Sequence, residues 1–470
     1  MTEETEHSRE RSLAPALVFV GVVVAAVGSL GAPLITSVAT TFDVSLSSAQ
    51  WTLTLALATG AVTTPILGRL GSGPHRRAAI LGTLGVVSVG GVLTALPLSF
   101  AWLLIGRAAQ GVGLALTSML MGVAREHLST PRSASTISLL AVASTAGVGV
   151  GYPLSGLLTE HGGIRAAYGF GAAIAVLALV VALKVVPAAT RNRATRMDIP
   201  GALALSLALA PVLILVSETA LWTSRPWTAV SLAVAAGAAA VLWVRVELAS
   251  SAPLVDLRLL RHRTVIGANC ALFLSGIGMY LLLTIVTRYA QTPASAGYGF
   301  GLDVFAAGLV LVPFSVFGFL AGKLVPRVLD RVGPGSALTV SALIVLVALA
   351  VFADARAGIG ELYAVMAVLG FGVGSFSAAV PAVVLAVVPS EETSSAMSIN
   401  QVVRSIGFAF GSAIGGLVLA AGTNASSTFP AEQSYTSAAW VGIAVSAAAA
   451  VTSATALRRR AASGPSTSAG

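Results

Sequence analysis

Apolar runs of 18 or more residues recur from end to end of this chain of 470 residues. A helix needs about 20 such residues to cross the hydrocarbon core of a bilayer. Only 10% of the residues are charged, against about a quarter in soluble domains. The alternating segments of about ten residues that build membrane barrels are not seen. The sequence therefore predicts an all-α polytopic membrane protein.

These runs predict fourteen transmembrane helices. They lie at residues 13–35, 49–67, 78–97, 101–123, 134–158, 166–186, 200–217, 228–246, 264–287, 304–326, 336–353, 362–388, 394–421 and 437–457. The first run is too long for the apolar core of a signal peptide, so it is expected to be a retained helix. An even number of helices places both termini on one side of the membrane.

The basic residues decide which side that is. The net charge is +9, from 27 lysines and arginines. With a cytoplasmic N-terminus, four of them fall in outer links, two fall inside helices and the remaining 21 lie on the cytoplasmic side. The positive-inside rule therefore predicts two cytoplasmic termini. Because the charges sit in short links between apolar runs, they argue against a nucleic-acid partner.

Two basic links divide the chain into parts. The stretch AATRNRATRM covers residues 188–197, and PLVDLRLLRHR covers residues 253–263. Between them lie two short helices, predicted to be an insert. The predicted parts are an N-terminal six-helix bundle at 1–190, the two-helix insert with its link at 191–250, a C-terminal six-helix bundle at 251–457 and a disordered cytoplasmic tail at 458–470.

The two bundles resemble one another in sequence. A shift of 260 residues places Ser138, Val142, Gly147, Gly151 and Gly156 on identical residue types at positions 398, 402, 407, 411 and 416. A shift of 254 residues aligns GRLGSGPHRR with GKLVPRVLDR, and both begin Gly-basic-Leu after the second helix of their half. Repeated six-helix halves are a transporter architecture with its site at their interface.

The link after the second helix reads Gly68, Arg69, Leu70, Gly71, Ser72, Gly73, Pro74, His75, Arg76, Arg77. Together with the helix count, it resembles the major facilitator superfamily, and within it the drug:proton antiporter branch with fourteen helices. The family signature is Gly-x-Leu-Ala-Asp-Arg-x-Gly-Arg-Arg, so Ser72 replaces its acid. The resemblance implies the major facilitator fold and a cytoplasmic gate at this link. The gating candidates are Gly68, Arg69, Arg76, Arg77, Asp330 and Arg331; topology alone is the alternative for Arg76 and Arg77.

The fourth helix contains RAAQGVG at residues 107–113, which fits the family signature Arg-x-x-Gln-Gly-x-Gly. By that resemblance Arg107 takes part in proton coupling. Its position about two turns inside the outer edge leaves snorkelling to the headgroups as the alternative.

The fifth helix contains GVGVGYPLSG at residues 147–156. The family's antiporter signature there is Gly-Pro-x-x-Gly-Gly, which Pro153 and Gly156 fit while Tyr152 and Leu157 do not. Gly147 and Gly151, four residues apart, let helices approach closely, and Pro153 is expected to kink this one. Tight packing without an antiporter role is the alternative.

The substrate cavity is expected between the first and fourth helices of each half, as in the family. The thirteenth helix adds a polar run, NQVVRSIG at residues 400–407, which is typical of the branch. The cavity candidates are Ser29, Gln110, Asn269, Tyr280, Ser375, Phe376, Asn400, Gln401 and Arg404. Met279 and Phe376 could equally face lipid, and Arg404 could snorkel.

No Asp or Glu is placed deep in any predicted helix; Glu218, Glu247, Asp303 and Glu361 lie at helix edges. A buried acid is the simplest proton carrier. Coupling must therefore use an edge acid, or Arg107 together with the substrate, or be absent. Neutral or anionic substrates become more plausible than lipophilic cations.

The one cysteine, Cys270, is expected to be a small buried apolar residue.

These features predict a secondary transporter that exports small amphiphilic compounds such as antibiotics, by proton antiport with alternating access. It is expected to act as a monomer in a bacterial inner membrane. The alternative is a facilitative or proton-linked transporter of a neutral or anionic metabolite or nutrient. Catalytic, nucleotide and metal motifs are not found, so no enzyme activity, no cofactor and no metal is expected.

Overall fold

A computed structural model describes residues 2–31, 34–44, 46–96, 98–188, 198–217, 221, 225–250, 253, 263–423 and 429–458. The basic link at 189–197, nearly all of the link at 253–262 and the predicted tail after residue 458 lie outside these residues. The described residues form helices and no strand, in agreement with the predicted all-α fold.

We number the α-helices in chain order. In the first part they are α1 (Thr2–Ser29), α2 (Ile35–Phe42), α3 (Leu46–Gly71), α4 (Arg76–Ala95), α5 (Phe100–Gly111), α6 (Leu116–His127), α7 (Thr130–Val185), α8 (Ile199–Ser217) and α9 (Pro226–Ala249). In the second part they are α10 (Arg263–Gln291), α11 (Val304–Val310), α12 (Val312–Val332), α13 (Pro334–Asp354), α14 (Ile359–Leu385), α15 (Thr393–Ala421) and α16 (Glu432–Arg458). A 3₁₀ turn at Val112–Ala115 joins α5 to α6 within the predicted fourth membrane helix.

Helix α7 contains two of the predicted membrane helices. Its 56 residues would span about 84 Å at 1.5 Å per residue, far more than the hydrocarbon core of a bilayer. Gly163 interrupts it with φ 67° and ψ −174°, a conformation that glycine adopts without steric cost. The break in the helix therefore lies at Gly163. The backbone keeps helical angles through Pro153, and the kink expected there stays a prediction.

Twelve helical segments of the described chain are long and apolar enough to cross a membrane. In this count α5 and α6 form one segment, α11 and α12 form another, and α7 is counted once. Helix α8 contributes the shorter apolar segment Pro200–Val212. Division of α7 at Gly163 and inclusion of α8 give the fourteen predicted segments. The sequence did not predict the short helix α2, which follows α1 after the turn residues Leu30, Gly31 and Leu34.

Equivalent glycines pack in the same way in the N-terminal half (residues 2–185) and the C-terminal half (residues 263–458). A Cβ atom on Gly147 would lie 2.6 Å from the backbone of Ala25 on α1. A Cβ atom on Gly407 would lie 2.5 Å from the carbonyl oxygen of Phe273 on α10. In each half, therefore, the fifth membrane helix packs closely on the first, as the predicted sequence repeat implies.

The two halves meet along two seams. At one seam the Gly149 N–H on α7 donates to Ser315 Oγ on α12, at 2.7 Å. At the other, α3 packs against α15. Helix α8 lies beside this second seam, where Leu205 and Leu209 contact Ala61 of α3 and Val402 of α15. One helix of the predicted insert thus touches both halves.

Helices α3, α6 and α14 end, and α4, α7 and α15 begin, at the same end of the molecule. We call it the basic end because Arg69, Arg76, Arg77 and Arg125 lie there.

Three apolar residues test what the sequence predicted about burial. Cys270 is exposed on the surface of α10, because the exterior of a membrane protein is as apolar as its core. Met279 is 4% and Phe376 is 2% exposed, so neither faces lipid.

Candidate functional site

An ion pair joins the two halves at the basic end. Arg69 on the last turn of α3 lies with its Nη1 atom 3.0 Å from Glu392 Oε1 and 3.1 Å from Oε2. Glu392 immediately precedes α15, where the positive end of the helix dipole also favours a carboxylate. Sequence reasoning identified Arg69 but missed Glu392. The acid at the start of a predicted helix was the available signal.

Arg125 makes a second connection across the same end. Its Nη1 donates to Thr393 Oγ1 at 2.8 Å, and its Nη2 donates to the carbonyl oxygens of Leu385 and Val388 at 3.0 and 3.1 Å. Leu385 is the last residue of α14 and Val388 follows it, so both carbonyls lie where the backbone carries partial negative charge. A cation of the N-terminal half therefore caps a helix of the C-terminal half.

Small residues bring the halves into direct contact beneath these charges. A Cβ atom on Gly68 would collide with Ser398 Oγ, and one on Gly122 would collide with Ser394 Oγ. Ser398 Oγ also donates to Ser118 Oγ at 3.0 Å. Because side chains larger than hydrogen do not fit at Gly68 and Gly122, this part of the interface is closed.

The other predicted gating residues remain within their own half. Arg76 pairs with Glu126, Arg77 Nη2 donates to Leu183 O at 2.9 Å, and Ser72 Oγ donates to the carbonyl of Gly68. Arg331 is exposed, and the side chain of Asp330 lies outside the described part of the chain. Of the predicted set, Gly68 and Arg69 are the residues that this geometry places against the other half.

Arg107 is completely buried and turns inward. Its Nη1 donates to Gln110 Oε1 at 2.7 Å and its Nε to the carbonyl oxygen of Thr52 at 3.2 Å. Its guanidinium also reaches the carbonyl oxygens of Val27 and Gly28 at 3.5 and 3.4 Å. These two carbonyls belong to the end of α1, so the helix dipole compensates part of the charge. The geometry is not that of a snorkelling side chain.

Arg404 on α15 is likewise buried, at 7% exposure. Its Nη2 donates to Gln401 Oε1 at 2.7 Å, and its Nη1 donates across the interface to the carbonyl oxygen of Ala141 at 3.2 Å. The guanidinium lies 5.6 Å from the ring centre of Phe408. It lines a cavity of about 30 Å³ between the halves, which holds little more than water.

Two larger cavities lie between the halves, one toward each end. The cavity at the basic end measures about 550 Å³ and is lined by Arg125, Ser133 and Leu329, among others. The cavity toward the opposite end measures about 320 Å³ and includes Tyr152, Tyr280 and Arg288 in its lining. The two share no lining residue. Both volumes lie within the range of sites for small molecules.

Aromatic stacking connects the cavity at the opposite end with Arg404. The ring of Tyr280 stacks on that of Phe408 with centroids 4.7 Å apart. The guanidinium of Arg404 lies against the ring of Phe408. Sequence reasoning identified Tyr280 and Arg404 but missed Phe408 and Tyr152. The spacing of Phe408 and Tyr152 along their helices does not differ from that of ordinary core residues, so it did not mark them as cavity residues.

The remaining cavity candidates have other contacts. Ser29 Oγ donates to the carbonyl oxygen of Gly147, which ties α1 to α7. Gln110 Nε2 donates to Thr94 Oγ1, and Asn269 Nδ2 to Val265 O on its own helix. Ser375 is 4% exposed and Phe376 is part of the apolar core. The predicted antiporter residues Gly151, Pro153 and Gly156 contact helices: a Cβ atom on Gly151 would meet Ser29, while Gly308 and Phe305 approach Pro153 and Gly156.

Two carboxylates come together where α8 begins and α9 ends. Glu247, placed at a helix edge from the sequence, is 2% exposed and accepts a hydrogen bond from Trp243 Nε1 at 3.1 Å. Asp198 is 7% exposed and accepts from the Gly201 N–H at 2.8 Å. A Cβ atom on Gly201 would lie 2.9 Å from an oxygen of each. The sequence did not predict their burial.

No described group of three or more His, Cys, Asp or Glu residues could hold a metal ion.

The sequence model of the Major Facilitator Superfamily matches residues 17–353 and, again, residues 268–470. The chain is 27% identical over 356 residues to the Multidrug resistance protein Stp of Mycobacterium tuberculosis, covering 74% of this chain and 64% of Stp. It is 25% identical over 341 residues to the Methyl viologen resistance protein SmvA of Salmonella typhimurium, covering 70% of this chain and 66% of SmvA. The match thus spans slightly less than two thirds of the length of these relatives.

A similar protein and a similar structure complete the comparison. The Lincomycin resistance protein LmrB of Listeria monocytogenes is 25% identical over 315 residues, covering 66% of this chain and 64% of LmrB. The crystal structure of the human organic anion transporter MFSD10 (TETRAN) superposes with a TM-score of 0.65 at 14% identity, covering 94% of this chain and 99% of that one. At this identity the structural likeness concerns the fold alone.

Proposed function

The chain belongs to the Major Facilitator Superfamily, and from that premise we propose that it exports small amphiphilic compounds, including antibiotics, by alternating access. The relatives named for multidrug, methyl viologen and lincomycin resistance support this function. In this proposal the chain acts as a monomer, without a cofactor, and it is a transporter and not an enzyme.

The observation that carries the proposal is the pair of separate cavities on one interface. The cavities of about 550 and 320 Å³ lie toward opposite ends and share no lining residue. A solute carrier needs a route to each side and a closed region between them. Movement of one half against the other would enlarge one cavity while it closes the other.

The orientation follows from charge. We assign the basic end to the cytoplasm of a bacterial inner membrane, with both termini on that side, because arginines and lysines accumulate on cytoplasmic loops. In this orientation Arg69, Glu392 and Arg125 form a cytoplasmic gate, and Gly68 provides the close contact that seals it. Behind that gate, Arg76 joins the start of α4 to α6 through Glu126, and Arg77 joins the start of α4 to the end of α7.

We propose proton exchange as the energy source. Arg107 organises the coupling region by holding α1, α3 and α5 together through carbonyl groups. A carboxylate is the simpler proton carrier. Among the described edge acids Glu247 is the buried one, and it lies beside Asp198 at the start of α8, the helix that packs beside the α3–α15 seam. The proposed division of roles is that Glu247 carries the proton while Arg107 supports the moving helices.

A facilitative transporter of a neutral or anionic metabolite is the second candidate. It is favoured because, among the described residues, neither Arg107 nor Arg404 forms a salt bridge with a carboxylate. The interior therefore presents positive charge without the deep acid expected of a cation exporter.

Accumulation assays separate the two candidates. Cells that carry or lack the gene are loaded with a panel of toxic compounds, and efflux is followed before and after collapse of the proton gradient. Proton-driven export predicts gene-dependent efflux that stops on collapse. Gene-dependent efflux that continues unchanged contradicts antiport, and the absence of any gene-dependent efflux contradicts export.

A further inference from the structure

Arg404 lies deep within the molecule. It follows the first residue of α15 by eleven positions, which places it about 16 Å along the helix from the basic end. Its exposure is 7%. A cation at such depth in a membrane protein is costly and is retained where it has a partner or lines a path for solute.

The partners of Arg404 are all neutral. The carbonyl oxygen of Ala141 and the amide oxygen of Gln401 accept its two hydrogen bonds, and Phe408 lies against its plane. Its Nε atom is buried without a hydrogen-bond acceptor. Within the described chain no carboxylate forms a salt bridge with it. The guanidinium is therefore a buried cation without a counter-ion.

Asn400 presents a second unsatisfied group at the same place. It is 7% exposed, and both polar atoms of its side chain are buried without a hydrogen-bond partner. Asn400, Gln401 and Arg404 line the same small cavity between the halves. Buried amides are normally satisfied, so the site has donors in place for a ligand.

We propose that the exported compound bears a carboxylate, which binds to Arg404 with the side-chain amide of Asn400 as a second donor. This inference rests on the proposed export function and names its substrate class. A carboxylate matches the planar guanidinium, and charge-assisted hydrogen bonds are stronger than the neutral bonds now present.

The carbonyl of Ala141 takes the place of the ligand when the transporter is empty. It belongs to the N-terminal half, whereas Arg404 belongs to the C-terminal half, so separation of the halves breaks this bond. The present cavity of about 30 Å³ is too small for an organic molecule, and separation is needed before one enters. Exchange of the Ala141 carbonyl for a substrate carboxylate then links binding to the movement of the halves.

The apolar lining favours an organic acid over an inorganic anion. Met121, Leu272, Val380 and Met397 form much of the cavity wall, and strongly hydrated ions gain nothing from such a surface. With the cytoplasm negative by 100 mV, the membrane potential alone favours outward movement of a monoanion by about 50-fold. An anionic substrate therefore fits the proposed direction of transport.

Binding to the purified full-length protein tests the proposal directly. The probes are three ligands on one scaffold, namely 1-naphthoate, 1-naphthamide and 1-naphthylmethylammonium, with the same three derivatives of biphenyl as a second scaffold. Ligand-induced thermal stabilisation is measured in detergent as a function of ligand concentration. We expect at least one carboxylate to bind about tenfold or more tightly than its amide and ammonium analogues.

The variants are Arg404→Gln, Arg404→Lys and Asn400→Leu, with Arg327→Gln as the control because Arg327 is exposed and bonds within its own helix. Arg404→Gln should lose the preference for the carboxylate, Arg404→Lys and Asn400→Leu should weaken it, and Arg327→Gln should keep it. Monodisperse elution of each variant establishes that it is folded. Equal binding of the amide or ammonium probe, unchanged binding by Arg404→Gln, or no binding of either carboxylate would overturn the proposal.

The two proposals fail in different ways. If carboxylates bind through Arg404 but cells show no gene-dependent efflux, the anion site stands and the export function is wrong. If cells export neutral or cationic compounds equally well with Arg404→Gln, export stands and the carboxylate assignment is wrong.

Discussion

Arg69 and Glu392 are 323 positions apart in the sequence, yet their side chains meet at 3.0 Å. They join the end of α3 to the start of α15 and so connect the two halves at the basic end. Their side chains are 15% and 30% exposed, so water screens the pair only in part. A partly exposed ion pair contributes about 0.2–1 kcal/mol, enough to bias an equilibrium between conformations without fixing it.

Loss of this ion pair should open the basic end more often. We expect Glu392→Gln to speed the labelling of a cysteine at position 397, now 4% exposed, by about two- to fivefold. The measurement uses a Cys270→Ser background, because Cys270 is exposed, and a thiol reagent applied from the basic end.

The charge-exchanged variant provides the control. Arg69→Glu combined with Glu392→Arg should restore slow labelling, whereas Arg69→Glu alone should label fastest because two carboxylates then face each other. Equal rates in all four proteins would show that the ion pair does not influence opening.

Close packing at Gly68 makes a second prediction. Gly68→Ala places a methyl group against Ser398 Oγ and should hold the halves apart, which reduces transport severalfold. Ser398→Gly removes that hydroxymethyl group and should restore activity in the double variant. Transport of an exported compound is measured in membrane vesicles with equal amounts of protein.

Gly82→Ala is the matched control, because a Cβ atom on Gly82 meets nothing within 4 Å. It should transport like the parent protein. A loss of transport in Gly82→Ala equal to that in Gly68→Ala would mean that helix glycines act through something other than contact between the halves.

Arg107→Ala should abolish transport while membrane abundance stays normal. The substitution removes the cation that binds the carbonyls of Thr52, Val27 and Gly28. Arg107→Lys keeps the charge but cannot reproduce the planar set of donors, and we expect it to retain a small fraction of activity. Full transport by Arg107→Ala would show that this side chain only stabilises the fold.

Glu247→Gln should uncouple export from protons. The glutamine side-chain oxygen can still accept the hydrogen bond from Trp243, but the amide cannot bind and release a proton. We therefore expect efflux that no longer stops when the proton gradient collapses, measured beside Glu361→Gln at an exposed helix start. If Glu247→Gln efflux stays as sensitive to collapse as the parent, the proton does not travel on this acid.

The fold was largely predictable because bilayer thickness sets the length of apolar helices. The glycines at 147, 151, 407 and 411 also revealed the repeat before their contacts were known. The bend at Gly163 lies in the link predicted between the fifth and sixth helices, where Glu160, His161 and Arg165 interrupt the apolar runs. The short helix α2 was not predicted from the sequence.

The site was predictable in its cations and less so in their partners. Arg69, Arg107 and Arg404 were recognisable because charge is rare in such a sequence. Glu392 and the Ala141 carbonyl were missed because each contacts a residue from the other half, more than 260 positions away. Such pairings depend on how the two halves pack together. The spacing of apolar residues along the chain does not reveal that packing.

Distance measurements between spin labels at both ends of the molecule test the central claim most directly. One pair of labels occupies positions 75 and 331 at the basic end, and another occupies positions 41 and 433 at the opposite end, all four being exposed sites. Addition of an exported compound should lengthen one distance and shorten the other. Distances that stay fixed, or that change in the same direction at both ends, would contradict alternating access between two halves.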